Sequence, residues 1–298
     1  MRTASAQAPV AVLASRVRSD EKRLFAALTR RGVPYVQLDT RELRMPDTPV
    51  GAPVYRAVLN REISLSRAVY AARSLEIQEL PMVNSAHAIE ICGDKWRTSL
   101  QLRRHGVATP DSCLALSPQA ALAAMLELGF PLVVKPLTGS WGRLVTPVRD
   151  LATAEIVLDY IAALPGPQAH LVYLQRLVAK PDRDLRVIVI GDQAVGAIYR
   201  RSDQWRTNVA LGGQPMACPL TEEMAQLARA AARAVGAAVA GVDLIEGADG
   251  QLTVLEVNAG VEFGGFQQAH GDSLELAELI VDHLLAISDE PVLAGARS

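Results

Sequence analysis

VAGVDLIEGADGQLTVLEVNAG, from Val239 to Gly260, is the stretch that decides the fold. Two apolar strands flank Asp249-Gly250, a dipeptide suited to a two-residue hairpin turn. Folding the chain back on that turn sets Asp243 opposite Glu256. Side chains alternate along a strand, so Asn258 shares the face of Glu256. Two carboxylates and an amide oxygen therefore converge at one end of an otherwise apolar hairpin. Facing carboxylates repel unless a cation lies between them. An all-oxygen donor set suits a hard ion such as Mg²⁺, commonly shared with substrate phosphates. Taken alone, the same residues also describe an edge hairpin ending in solvated acids. The cation reading therefore depends on phosphate-binding groups elsewhere in the chain.

The chain has 298 residues, half of them apolar, and a formal net charge of -2. That length supports two or three packed subdomains with a sizeable core. The charge balance argues against a surface built for nucleic acid. No apolar run approaches the roughly 20 residues of a membrane helix. In the opening MRTASAQAPVAVLASRVR, Val10 to Ala14 is read as a first strand and not as a signal-peptide core. The reason is that Glu21 to Leu28 continues as a helix; the residues before Val10 are expected to be disordered. Cys92, Cys113 and Cys218 show no paired spacing, which offers neither a disulfide framework nor a zinc signature and implies a reducing cytoplasm. The five histidines are equally scattered and are expected at the surface or at helix ends.

From Val10 to about Glu90, short apolar strands alternate with helices, giving a small open α/β unit. No glycine fingerprint follows its first strand, so dinucleotide binding of the Rossmann kind is not supported. A break falls at Cys92-Gly93. Asp94 to His105 follows as a helix, then a mixed region of helices and the strands FPLVVKP and LVTPV. From His170 the strands lengthen, as HLVYLQRLV, DLRVIVIG and AVGAIYRR. Helix TEEMAQLARAAARAVG precedes the acidic hairpin, and a last helix runs from about Leu274 to Ile287.

Lys135 ends an apolar strand just before Thr138-Gly139-Ser140-Trp141-Gly142-Arg143. Glycines let backbone N–H groups approach phosphate oxygens, while Lys135 and Arg143 supply charge. A Walker A string is absent, and the loop by itself is equally an ordinary hairpin loop. Lys95 in GDKW is a second candidate cation. In PDRDLRVIVIG, Asp184 and Arg186 share one strand face, which is costly inside a sheet without partners. RRSDQWRTNVALGG then places Arg200, Arg201, Arg206 and Asn208 in a glycine-ended loop, which could also be a solvated basic turn. The combination carries the argument: lysines, a glycine loop, arginines and an acid–acid–amide cluster are what a magnesium–nucleotide site requires.

CGDKW, VVKPLTGSWGR, PDRDLRVIVIG and DLIE…LEVN, in that order, resemble the ATP-grasp ligases, and more narrowly their LysX and RimK branch, which joins a carboxylate to an amine. The similarity runs from roughly Cys92 to Glu262 and is weaker in the first domain. It implies an α/β (α+β) architecture, the ATP-grasp fold. An N-terminal open α/β pre-ATP-grasp domain would span 1–92, a central lid domain 93–171, and a C-terminal antiparallel-sheet domain with the metal site 172–298. By the same resemblance, Lys95 and Lys135 contact ATP phosphates under the loop of Gly139, Ser140, Trp141, Gly142 and Arg143. Gln175, Arg176 and Leu177 form the adenine hinge, largely through backbone groups, with Arg176 where the family usually has glutamate. Asp184 binds the ribose, and Arg206 and Asn208 lie near the reacting phosphate. Asp243, Glu256 and Asn258 hold two Mg²⁺ ions. Arg206, Arg186 and Lys135 neutralise charge developing in the reaction, and no side chain stands out as a general base.

The implied reaction activates a carboxylate as an acyl phosphate and passes it to an amine. The carboxylate is implied to be the C-terminal glutamate of a small acidic amino-group carrier protein, steered by Arg200, Arg201 and Arg206. The amine belongs to an amino acid of the 2-aminoadipate kind, facing Asn258, Glu262, Phe263 and Gly264. Gly264-Gly265 removes a side chain there, so a larger or differently charged amino acid also fits. A homo-oligomer acting on neither nucleic acid nor membrane is expected. Two alternatives stay open: a glutamate ligase acting on a protein or cofactor tail, and a non-catalytic ATP-binding module. The complete Asp243, Glu256 and Asn258 set speaks against the latter.

Overall fold

The computed structural model describes residues 8–47, 54–139, 142–202, 207 and 212–289. The expected disorder before Val10 falls largely outside these residues, as do Ser140, Trp141, Arg206 and Asn208.

The first unit is a parallel sheet in the order β2-β1-β3-β4. It comprises β1 (Val10–Leu13), α1 (Ser19–Arg30), β2 (Tyr35–Leu38), β3 (Ala57–Asn60), α2 (Leu65–Glu76) and β4 (Met82–Val83). Val10 and Val12 of β1 pack into one core with Leu24 and Leu28, while Ala11 and Leu13 pack into another with Ala71 and Leu75. Cover on both faces is why VAVL is a continuous apolar run without alternation. The same burial hides β3 from a periodicity reading, since four buried residues have no polar face to alternate with. Two helices follow, α3 (Ala86–Cys92) and α4 (Lys95–Arg104). Asp94 caps α4 by accepting from the N–H groups of Trp96 and Arg97, which fixes Lys95 as the first helical residue.

The second sheet is antiparallel, in the order β5-β8-β6-β7. Its elements are β5 (Ser112–Ala115), α5 (Pro118–Leu128), β6 (Leu132–Lys135), β7 (Thr146–Val148), α6 (Leu151–Ala162) and β8 (Val172–Arg176). A boundary at residue 172 therefore needs correcting. β8 hydrogen-bonds to β5 and β6, because its buried run VYLQ completes this sheet and not the next one.

The third sheet has five antiparallel strands in the order β11-β10-β9-β12-β13. These are β9 (Arg183–Ile190), β10 (Gln193–Arg201), β11 (Gln214–Cys218), β12 (Val239–Glu246) and β13 (Leu252–Asn258), with α7 (Glu222–Val235), α8 (Gly264–His270) and α9 (Leu276–Asp289). Thr221 caps α7 by accepting from Met224, and Gly236 ends it in the left-handed region at φ 70°. Ala228, Ala231 and Ala232 let α7 lie close on Val187, Val189, Ala240 and Val242. Ile188, Ile198, Phe266 and Ile280 fill the opposite side. Gly196 makes that approach possible: a Cβ there would stand 2.6 Å from Phe266 Cζ.

The hairpin does not turn on two residues. Gly250 donates to the Gly247 carbonyl and Gly247 to that of Gln251, both at 2.9 Å, leaving Ala248, Asp249 and Gly250 in the loop. Gly250 takes φ 79°, a conformation that favours glycine. This longer loop shifts the register by one residue, pairing Leu244 with Val254. A bulge at Leu255 shifts it back, so Asp243 does face Glu256. Without the bulge, Glu256 would point to the other side of the sheet. Val254 and Val257, three residues apart, both reach the core under α7 for the same reason.

Candidate active site

One sheet face changes character along its length. In β9, Ile188 and Ile190 lie in the apolar core, while Asp184 and Arg186, four and two residues earlier than Ile188, stand beyond it. Register sets Asp243 directly across from Arg186 and Arg200 directly across from Asp184. Arg186 grips Asp243 with two bonds, Nε to Oδ1 at 2.7 Å and Nη2 to Oδ2 at 2.9 Å. Arg200 donates from Nε to Asp184 Oδ1 at 2.6 Å and reaches Asp243 Oδ2 from Nη2 at 3.1 Å. The Thr207 hydroxyl donates to Asp184 Oδ2. The costly strand charges foreseen from PDRDLR are thus matched as two arginines and two aspartates. Burial alone would raise the Asp243 pKa; Arg186 and Arg200 overcome that and hold it below the usual carboxylate range. Arg200 is correspondingly held above its ordinary value despite burial, by Asp243 and Asp184.

Glu256 and Asn258 continue this face onto β13. They border a cleft of about 560 Å³ whose other walls include Thr138 and Gly139 of the lid loop, and Arg18, Asn60 and Glu62 of the first unit. Lys95 Nζ donates to the Gly139 carbonyl at 2.9 Å and lies 3.8 Å from Glu256 Oε1. Lys135 Nζ donates to Gln175 Oε1 at 2.5 Å. Burial pushes the Lys135 ammonium down to about 8; Glu256 acts against that shift and Lys95 adds to it. Among the described residues no group of three His, Cys, Asp or Glu is placed to hold a metal ion; this face offers two acids and an amide. The donors fit a hard divalent ion. Glu256 and Asn258 are partly exposed to the cleft, and the arginines occupy three of the roughly four acceptor positions of Asp243.

Asp184 is 5% exposed, with Oδ1 held by Arg200 and Oδ2 by the Thr207 hydroxyl. Several expectations need correction. Arg200 is 3% exposed, which removes it from any surface that steers a partner; Arg201 is exposed. Phe263 is fully buried beneath the Arg61 guanidinium, 5.5 Å from its ring centre, and packs in the core instead of facing substrate. Gly264 opens α8 against Asp20, whose Oδ1 would lie 3.3 Å from a Cβ placed there, and does not border the cleft. Glu262 does border it, paired with Arg18 at 2.7 Å. At the hinge, Gln175 is 1% exposed, and its side chain holds Lys135 and bonds Tyr173 Oη, itself bonded to Ser99. The Arg176 and Leu177 N–H groups are taken by the Asp111 and Pro131 carbonyls, and the Arg176 side chain turns to the Leu128 carbonyl. Arg143 is exposed at the far end of its loop.

The first-unit wall was not legible. Asn60 ends β3 and Glu62 lies just beyond it, a strand with no sequence signal, and Arg18 looks like any helix-capping residue. All three cysteines are free, and among the described residues no helix is long and apolar enough to cross a membrane.

Comparison with known proteins gives consistent results. Residues 92–284 match the model of the RimK-like ATP-grasp domain, and residues 10–91 that of the LysX preATP-grasp domain. The chain is 32% identical over 278 residues to the glutamate–LysW ligase ArgX of Sulfolobus acidocaldarius, covering 92% of this chain and 97% of that one. It is 33% identical over 206 residues to the alpha-aminoadipate–LysW ligase LysX of Saccharolobus solfataricus, covering 69% and 75% respectively. The crystal structure of a RimK domain ATP-grasp protein from Sphaerobacter thermophilus superposes with a TM-score of 0.78 at 24% identity, over 93% of this chain and 100% of that one, and so shares the fold.

Proposed function

Since the chain belongs to the RimK-like ATP-grasp family, with a LysX-type preATP-grasp domain before it, we propose that it is an ATP-dependent, ADP-forming carboxylate–amine ligase. Its substrates on this reading are the C-terminal glutamate of an amino-group carrier protein and the amino group of an acidic amino acid, glutamate or 2-aminoadipate. The relatives named for LysW and those two amino acids support that choice. The observation that carries the reading is the convergence of Asp243, Glu256 and Asn258 on one cleft with Lys95 3.8 Å from Glu256.

The carboxylate attacks the γ-phosphorus, the bond to the bridging oxygen of ADP breaks, and an acyl phosphate forms. The amine then attacks the acyl carbon, phosphate departs with the bonding pair, and the amine proton passes to phosphate or solvent. Lys95 and Lys135 hold phosphate oxygens as charge shifts onto them. Arg186, its Nε and Nη2 on Asp243, adds positive charge on the same face. Asp243, Glu256 and Asn258 would hold Mg²⁺, two ions on this reading, which when bound neutralises phosphate charge. Closure of the cleft around the acyl phosphate would keep out water, which would otherwise hydrolyse it.

The test is ADP release by the full chain with a carrier protein ending in glutamate and a panel of amino acids. ADP formation that needs both carrier and glutamate or aminoadipate is expected. Turnover with neither present would refute the ligase reading, and turnover with glutamate added to an unrelated tail would favour the cofactor-type alternative.

A further inference from the structure

Arg18 and Glu262 form an ion pair on the cleft wall, with Arg18 Nη1 donating to Glu262 Oε1 at 2.7 Å. Each partner is fixed from behind. Arg18 is the N-cap of α1, and its N–H, Nε and Nη2 all donate to Glu21 at 2.9 Å. Glu21 is fully buried, so the guanidinium is locked with Nη1 turned to Glu262. On the other side, Arg61 donates to the Val261 carbonyl at 2.7 Å and lies over the Phe263 ring, while the Phe263 N–H donates to Asp20. Both neighbours of Glu262 are thereby anchored, on the segment that leaves β13 after Asn258. The pair itself is open to solvent, its side chains 24% and 42% exposed. A solvated ion pair adds little to a fold and exchanges partners at small cost. Two opposite charges held rigidly beside a reaction cleft are instead preorganised for a dipolar ligand.

We propose that Arg18 receives the α-carboxylate of the amino-acid substrate and Glu262 its ammonium, the two side chains pairing with each other until the substrate enters. Because the protein charges are adjacent, a ligand that pairs with both must carry its own charges adjacent. The ammonium and α-carboxylate of an amino acid share one carbon and meet that requirement; a side-chain carboxylate, held off by methylenes, does not. The exchange replaces one neutral pair by two, so no net charge enters the cleft. Glu21 keeps its fork on Arg18 throughout, since it is buried and also accepts from Arg61 Nε at 3.0 Å. This role rests on the reading of the cleft as a ligase site. It adds a residue of the first unit that selects α-amino acids over other amines.

ADP release by the full chain with a carrier protein ending in glutamate tests it, using glutamate and two truncated analogues. 4-Aminobutyrate lacks the α-carboxylate and 2-aminobutyrate lacks the side-chain one; for 2-aminoadipate the equivalents are 5-aminopentanoate and norvaline. An analogue that is not turned over is compared as a competitor of the full substrate. Arg18→Gln should lower kcat/KM for glutamate and 2-aminobutyrate about tenfold or more, the loss of a charge-assisted hydrogen bond, and leave 4-aminobutyrate and the KM for ATP unchanged. An equal fall for all three amines would make Arg18 structural. A fall for glutamate and 4-aminobutyrate alone would assign it to the side-chain carboxylate. Either result overturns the proposal, as does no change. Glu262→Gln decides if Arg18→Gln does not fold. 2-Hydroxyglutarate has both carboxylates but no ammonium, so in the unmodified chain its binding would leave Glu262 unpaired. It should compete with glutamate about tenfold better in Glu262→Gln, and no gain overturns the proposal. Should the unmodified chain release no ADP with carrier and amino acid, the ligase reading falls and this role with it. Turnover that both variants leave unmoved defeats the proposal alone.

Discussion

Lys135 stands at the end of β6 with its ammonium on Gln175 Oε1, and burial moves its pKa from 10.5 to about 8. At pH 7 about nine-tenths of the lysine is charged, and at pH 9 about one-tenth. If the ammonium binds phosphate, bound nucleotide restores its pKa towards the ordinary range, since an adjacent anion favours the charged form. Affinity for Mg·ADP should therefore fall about tenfold between pH 7 and pH 9, with most of the change above pH 8. Calorimetric titration at fixed Mg²⁺ across that range measures it directly. Unfolding does not produce the same trend. With a folded pKa below the unfolded one, the unfolded chain binds more protons between about pH 8 and 10.5, so this lysine makes the fold more stable as pH rises. Cys92 on the cleft wall is pushed up to about 12, chiefly by burial and further by Glu256, and stays a thiol in this window. Lys135→Arg keeps its charge throughout and should lose the alkaline fall, whatever its absolute affinity. A flat profile in the unmodified protein, or the same fall in Lys135→Arg, would refute the assignment of Lys135 to phosphate.

Two further outcomes are expected. Glu256→Ala should abolish ADP production while the far-UV circular dichroism spectrum is unchanged, since the side chain is partly exposed at the cleft and supports no core packing; undiminished turnover would count against the metal site. Phe263→Ala should cost about 3–5 kcal/mol of stability by opening a cavity in the core shared by the first and third units, read as a lower urea midpoint. A small stability change with altered amino-acid preference would instead restore Phe263 to the substrate site.

Much of this protein was legible without coordinates. Strand alternation in PDRDLR and in LEVN, the apolar run of VVK before a glycine loop, and the capped helix TEEMAQLARAAARAVG are local patterns. They fix which residue types share a face whatever the chain packs against. Asp243 facing Glu256 was also legible, although by compensation: the turn holds one residue more than Asp249-Gly250 alone would need, and the Leu255 bulge cancels the shift. What a residue's neighbours do with it was not legible. That Arg200 and Thr207, 16 and 23 residues away, hold the two Asp184 oxygens does not follow from strand alternation. Phe263 looks like a pocket residue until the first unit covers it. Short strands buried on both faces, such as β3, leave no periodic trace, and with β3 goes the loop that walls the cleft. Sequence determined the strand faces and the chemical inventory, because side-chain alternation is a property of the backbone. Tertiary structure decided which charges are free to meet a ligand, because that depends on partners brought together from distant parts of the chain.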